Sequence, residues 1–180
     1  MKLSESISNK IVTSIKTNDP ESSSVAVLKY ALDNLINLAI YMLIVLIISI
    51  ITGDFVTGLI AVVAFPLLRY FSGGLHFKSV NVCNIISSLL VLICIYNNID
   101  FWYTGVVMNA TALIILVITA PANVPRSNLK QHEYKYLKMI VAVIVGLNFY
   151  FQMSVLSLVF FIQALTTLPV AQKLLDKYKL

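Results

Sequence analysis

The stretch GGLHFKSVNVC, residues 73–83, places His76 seven residues before Cys83, behind a pair of glycines and with Lys78 between them. A thiolate attacks carbonyl carbon far better than a thiol does. An imidazole, a cationic side chain or a helix N-terminus favours it. Cys83 has a candidate for each: His76, then Lys78 or Arg69, then the start of the apolar run that begins at residue 82. The chemistry such a set would support is nucleophilic attack by Cys83, with His76 taking the thiol proton. Geometry adds a condition. On one straight helix the two Cα atoms would stand about 10 Å apart along the axis, too far for a direct hydrogen bond. A working pair therefore requires the chain after Gly74 to bend back, and Gly73 and Gly74 permit backbone angles that other residues avoid. The plain alternative is that Cys83 is a small buried hydrophobe and His76 an interfacial cation. Cys94 lies further along the same apolar run with no basic residue near it, and reads as packing. With two cysteines, two histidines and no C-x-x-C or Cys/His cluster, no disulfide framework, no metal site and no other cofactor is expected.

The elements that must position these groups are apolar. Of 180 residues, 59% are hydrophobic and 12% charged, which is too greasy for an ordinary soluble domain. A bilayer core takes roughly 20 apolar residues per helix. About six segments qualify by that measure: 34–52, 55–71, 82–98, 101–120, 138–152 and 154–172. Their runs are too long and continuous for the alternation of a lipid-facing strand. The expected fold is all-α: a polytopic membrane protein of about six transmembrane helices, preceded by an amphipathic interfacial helix. The expected domain is single, over 1–180, with the amphipathic helix and linker in 1–24 and the six-helix membrane bundle in 25–180.

The first 24 residues hold no apolar run long enough for the core of a signal peptide, so none is expected. Leu3, Ile7, Ile11 and Ile15 recur every four residues, roughly on one helical face, with Lys10 and Lys16 elsewhere. That pattern suits a helix lying on a membrane surface; a partly ordered polar tail is the alternative. With the N-terminus in the cytoplasm, all 13 Lys and Arg residues fall on the inner side. The positive-inside rule then places both termini in the cytoplasm. Trp102 and Tyr103 suit the outer interface, Tyr70 and Phe71 the inner one.

The order Arg69, Gly73-Gly74, His76 and, after six further residues, Cys83 resembles the accessory gene regulator B (AgrB-like) family. A second match is Ala120-Pro121-Ala122-Asn123 with Pro125, followed by a basic loop. Many members carry an acidic residue near Asn123, so no carboxylate role transfers to this stretch. The resemblance spans most of the chain. It implies an integral-membrane cysteine endopeptidase of the bacterial cytoplasmic membrane, multi-pass, with its active site facing the cytoplasm. Cys83 would be the nucleophile and His76 its general base. The partner would be the precursor of a quorum-sensing signal peptide (AgrD-like), cut through a Cys acyl-enzyme and closed into a thiolactone or lactone ring. The resemblance also admits a homodimer, for which no GxxxG stripe argues independently. No nucleic-acid partner is expected.

Arg69, Gly73, Gly74 and Lys78 are the expected substrate contacts around the pair. Arg126 and Lys130, in the basic loop 126–138, are candidates to dock an acidic stretch of the peptide; topology control and attraction to anionic lipid explain the same charges. Buried polar residues such as Asn34, Asn37, Asn109, Asn148 and Gln163 read by default as interhelical hydrogen-bonding groups. A small peptide transporter or a non-catalytic membrane scaffold are the rival readings. Against the first, no span carries a central ionisable residue. Nor is there a G-x-S-x-G elbow or an H-E-x-x-H zinc helix to suggest another hydrolase.

Overall fold

The computed structural model describes residues 2–75, 80–122 and 133–178, with side chains over 6–75, 82–122 and 133–173. Among the described residues every regular element is helical: α1 (Lys2–Asn18), α2 (Val25–Thr52), α3 (Phe55–Ser72), α4 (Val80–Ile95), α5 (Val106–Thr119), α6 (Tyr134–Phe151), α7 (Ser154–Thr166) and α8 (Pro169–Tyr178). A short π-helical turn, Phe101–Gly105, leads into α5. Among the described residues four helices are long and apolar enough to cross a membrane: α2, α3, the π-turn with α5, and α6. Two shorter apolar stretches, Val82–Ile95 and Ser154–Thr166, accompany them.

The boundaries follow local chemistry. Ser24 caps α2, its Oγ accepting from the Val27 N–H at 3.4 Å, so the helix starts nine residues before the apolar run expected at 34. Gly53 ends it in a left-handed conformation (φ 84°) that costs glycine little. Asp100 opens the π-turn by accepting from the Trp102 N–H at 2.8 Å. The expected sixth segment, 154–172, is not one helix. α7 stops at Thr166 and α8 starts at Pro169, because proline has no N–H to continue the ladder and its ring clashes with the preceding turn.

α7 is the centre of the bundle. Nine of its residues, from Val155 to Thr166, are buried, with α3, α4, α5 and α6 packed around it. Its 13 residues span about 20 Å, short of the roughly 30 Å hydrocarbon core. Protein surrounds it, so the backbone beyond its ends need not face lipid. The outer helices show the reverse pattern. α2 buries Tyr41, Val45 and Ser49 and leaves Leu35, Leu43, Ile47 and Ile51 exposed, an apolar stripe turned outward. α3 approaches α2 through Gly58, where any side chain would collide with Ser49.

The N-terminal helix meets the bundle through residues outside the isoleucine row. Ser8 and Val12 are buried, and α1 packs on α2, whereas Ile7 and Ile11 stay exposed. The isoleucine row is not the face that meets the bundle.

Candidate active site

Three chain ends meet at one end of the bundle. The last residues of α3, the Ala120–Ala122 segment after α5 and the end of α7 form a hydrogen-bonded knot. The Ala122 N–H donates to the Ser72 carbonyl at 2.9 Å, and the Gly74 N–H donates to the Ala122 carbonyl at 3.0 Å. Gln163, fully buried on α7, donates through Nε2 to the Ser72 hydroxyl at 2.9 Å and to the Gly73 carbonyl at 2.6 Å. Beside the knot, the hydroxyls of Thr119 and Thr167 stand 2.6 Å apart.

This arrangement explains the glycine pair. Gly73 has φ 72° and Gly74 φ 140°, both in the region that side chains disfavour. A Cβ on Gly74 would also stand 2.7 Å from Thr166 Oγ1 and 3.2 Å from Gln163 Nε2. Gly74 is therefore required twice, for its backbone angle and for its close seat on α7. Both glycines are buried, and the backbone approach they allow here is to Ala122 and Gln163.

The chain leaves this knot at Leu75 and returns at α4, where Cys83 is the fourth residue. Arg69, on the last turn of α3, reaches both Leu75 and Cys83. Its Nη2 donates to the Leu75 carbonyl and lies 3.8 Å from Cys83 Sγ, within reach of an N–H···S hydrogen bond. The guanidinium is part-buried, so negative charge forming on the sulfur would face a cation that water screens only in part. Cys83 is half-buried, while Cys94 on the same helix is 1% exposed and sealed in the core.

A cavity of about 240 Å³ opens beside the sulfur, between α2, α3 and α4. Arg69, Cys83 and Asn34 line it, as do Asn37 and Asn84, whose amides are joined by an Asn84 Nδ2 to Asn37 Oδ1 hydrogen bond of 3.3 Å. Tyr41, Phe65, Pro66 and Ser87 line it further along their helices.

Of the sequence-derived site residues, the structure brings Arg69 and Cys83 together and holds Gly73 and Gly74 in the knot behind them. His76, Lys78, Arg126 and Lys130 lie outside the described residues. Among the described residues no group of His, Cys, Asp and Glu could hold a metal ion.

The profile of the family described as accessory gene regulator B matches residues 4–172. The chain belongs to the accessory gene regulator B family. Comparison with curated proteins and with solved structures gave no match. Family membership links the chain to processing of a quorum-sensing peptide, and its long apolar helices fit a membrane protein.

Sequence reasoning missed the parts of the site that are distant in sequence. Gln163 meets Ser72 across 91 residues, and Asn37 meets Asn84 across 47. Both make the interhelical hydrogen bonds that their positions in apolar runs suggest; what spacing does not give is the partner. A usable signal was present for the knot: the Ala120-Pro121-Ala122 motif and the glycine pair both follow directly on long apolar runs.

Proposed function

We propose that this protein is a membrane-embedded cysteine endopeptidase that cuts a quorum-sensing propeptide and promotes closure of the released signal into a thiolactone or lactone. The observation that carries the reading is the placement of Cys83 Sγ 3.8 Å from the Arg69 guanidinium at the edge of a cavity, in a chain of this family.

In the proposed reaction His76 takes the Cys83 proton and the thiolate adds to the scissile carbonyl. The C–N bond then breaks, the leaving amine receives a proton from His76, and a thioester to Cys83 remains. A thiol or hydroxyl within the bound peptide attacks that thioester, closing the ring and returning the proton to Cys83. Exchange between thiols is near thermoneutral. Holding the second nucleophile next to the thioester raises its effective concentration above that of water. Arg69 holds the Leu75 carbonyl and faces the sulfur, so it positions the segment that carries His76. The expected sites for peptide contact also include Gly73, Gly74 and Lys78, with Arg126 and Lys130 docking an acidic part of the precursor.

The proposed topology has six crossings, with α4 and α7 completed by flanking coil, α1 lying at the interface and both termini in the cytoplasm. In this frame 1–180 is one membrane domain and Cys83 faces the cytoplasm. Lys29, Arg69, Lys135 and Lys138 support this, since all lie on turns at the Cys83 end of their helices.

The test is cleavage of the propeptide from the same bacterium by the full chain in liposomes, with hydroxylamine added in a parallel reaction to trap the thioester. Cys83→Ala and His76→Ala should abolish cleavage and the trapped product, and Cys94→Ala should retain both. Equal cleavage by all four proteins would remove the peptidase reading. Arg126→Glu with Lys130→Glu should impair cleavage while membrane insertion persists; unchanged cleavage would end the docking role.

A further inference from the structure

The cavity beside Cys83 is too small for a whole peptide ring. At about 240 Å³ it falls below the roughly 300 Å³ at which pockets for drug-sized ligands begin. Its shape follows from helix geometry. Asn34, Asn37 and Tyr41 recur at intervals of three and four on α2 and so share a face. From Asn34 to Tyr41 that face descends about 10 Å into the bundle. Cys83 and Ser87, one turn apart on α4, line the opposite side.

The lining is graded. Arg69, Asn34 and Cys83 stand at the end nearest the helix termini. Tyr41 and Phe65 line the deeper part, their ring centroids 6.4 Å apart. Tyr41 is 4% exposed, and its hydroxyl is buried without a hydrogen-bond partner. The hydroxyl is shut off from the cavity, so Tyr41 offers an occupant its ring rather than a polar partner. Charge narrows the occupant. Among the described residues no acidic side chain lines the cavity, so a Lys or Arg side chain would enter without a described partner. Arg69, the one charged group among the described lining residues, already holds the Leu75 carbonyl and faces the sulfur.

Building on the peptidase reading, we infer that this cavity is a specificity pocket for the substrate residue whose carbonyl Cys83 attacks, and that it takes one neutral apolar or aromatic side chain. A chain bound with that carbonyl at Sγ has the side chain of the same residue at the mouth of the cavity that Cys83 itself lines. Filling it removes apolar surface from water on both partners and places the carbonyl at the sulfur. Residues with charged or very small side chains would be cut poorly.

The experiment needs no cognate precursor. The full chain in liposomes is treated with N-acetyl chloromethyl ketones of Phe, Leu, Ala, Asp and Lys, and alkylation is read at Cys83 by mass spectrometry. In each case the thiolate displaces chloride and a thioether forms. The Phe and Leu reagents should label Cys83 at least about tenfold faster than the Ala, Asp and Lys reagents, a difference that burial of a few methylene equivalents supplies. Ser87→Leu, which fills the pocket from α4, should bring the Phe and Leu rates down to the Ala rate. Iodoacetamide, which carries no such side chain, normalises each protein for access to the thiol. Equal normalised rates across the five reagents, or an unchanged preference in Ser87→Leu, would overturn the pocket. Selective labelling in a protein that fails to cut the propeptide would leave the pocket standing and remove the peptidase reading. Propeptide cleavage without selective labelling would do the opposite.

Discussion

Where α6 turns into α7, Asn148 donates through Nδ2 to Asn109 Oδ1, Ser157 Oγ and the Met153 carbonyl at 3.0–3.2 Å, and its Oδ1 accepts from the Met153 N–H at 3.1 Å. Asn109 in turn donates to the Val145 carbonyl at 3.1 Å. Near the opposite end of the same bundle, Gln163 Oε1 is buried with no partner. A half-buried thiol there stands beside a guanidinium and an open cavity. The two cysteines of α4 differ too, Cys83 half-buried at the cavity and Cys94 sealed in the apolar core, about 16 Å apart along the helix. Satisfied polar groups make a rigid joint. A half-buried nucleophile beside a guanidinium and an open cavity makes a place where a substrate can seat. The comparison separates polar residues that hold helices together from polar residues that hold a reaction.

The largest effect should come from exchanging the two thiols' fates. Cys83→Ala removes the proposed nucleophile and should reduce propeptide cleavage below detection. Cys94→Ala takes a sulfur out of the core and should leave cleavage within about threefold, while lowering stability by about 1 kcal/mol, as small core truncations do. Alkylation sharpens the contrast: Cys83 should react in the native protein and Cys94 only after unfolding. Native labelling of Cys94 at the Cys83 rate would break the comparison.

Next in size is Arg69. A hydrogen bond to a charged group contributes about 1.5–3 kcal/mol, so Arg69→Met should slow cleavage by roughly 10- to 100-fold. Arg69→Lys keeps a cation but not the fork that reaches Leu75 and Cys83 together, and should recover only part of the loss. Full activity in Arg69→Met would place the guanidinium outside the chemistry.

These contacts show how far the sequence could be read. Arg69, the glycine pair and Cys83 are close in the chain, and their spacing was enough to name them. That Arg69 reaches the sulfur depends on how α3 and α4 sit against each other, which spacing does not encode. The span ends at Gly53 and Asp100 carry local signals, a glycine that can turn left-handed and a side chain that caps. Pro169 carried a signal too, but the apolar run around it hid the break between α7 and α8. In α1 the isoleucine row was legible and the packing face was not: Ser8 is small, and a close helix approach selects small residues over hydrophobic ones. Gln163, Ala122 and Asn37 gained their roles only when distant segments met.

Gly74→Ala should act through the knot. The added methyl meets Thr166 Oγ1 at a backbone angle alanine disfavours, and strain of this kind costs about 1–3 kcal/mol. Thermal unfolding in detergent should move down, and cleavage should fall further than stability alone explains, because the segment leading to His76 is displaced. Adding Thr166→Gly removes the collision and leaves the backbone angle, so rescue should be partial. Complete rescue would mean that crowding alone fixes the glycine, and no rescue that the angle does.

The smallest effect belongs to the satisfied end. Interhelical hydrogen bonds in membrane proteins contribute about 0.6–2 kcal/mol, so Asn148→Ala should destabilise the bundle by about that amount. Because Asn148 lies at the end away from Cys83, cleavage by the folded variant should stay within about twofold, with the preference among chloromethyl ketones unchanged. The measurement pairs unfolding with cleavage on the same preparation. A large loss of cleavage at unchanged stability would mean that the two ends of α7 are coupled. The joint at Met153–Ser157 would then set the position of Gln163 and the knot above it, and the division between structural and reactive ends would have to be redrawn along that one helix.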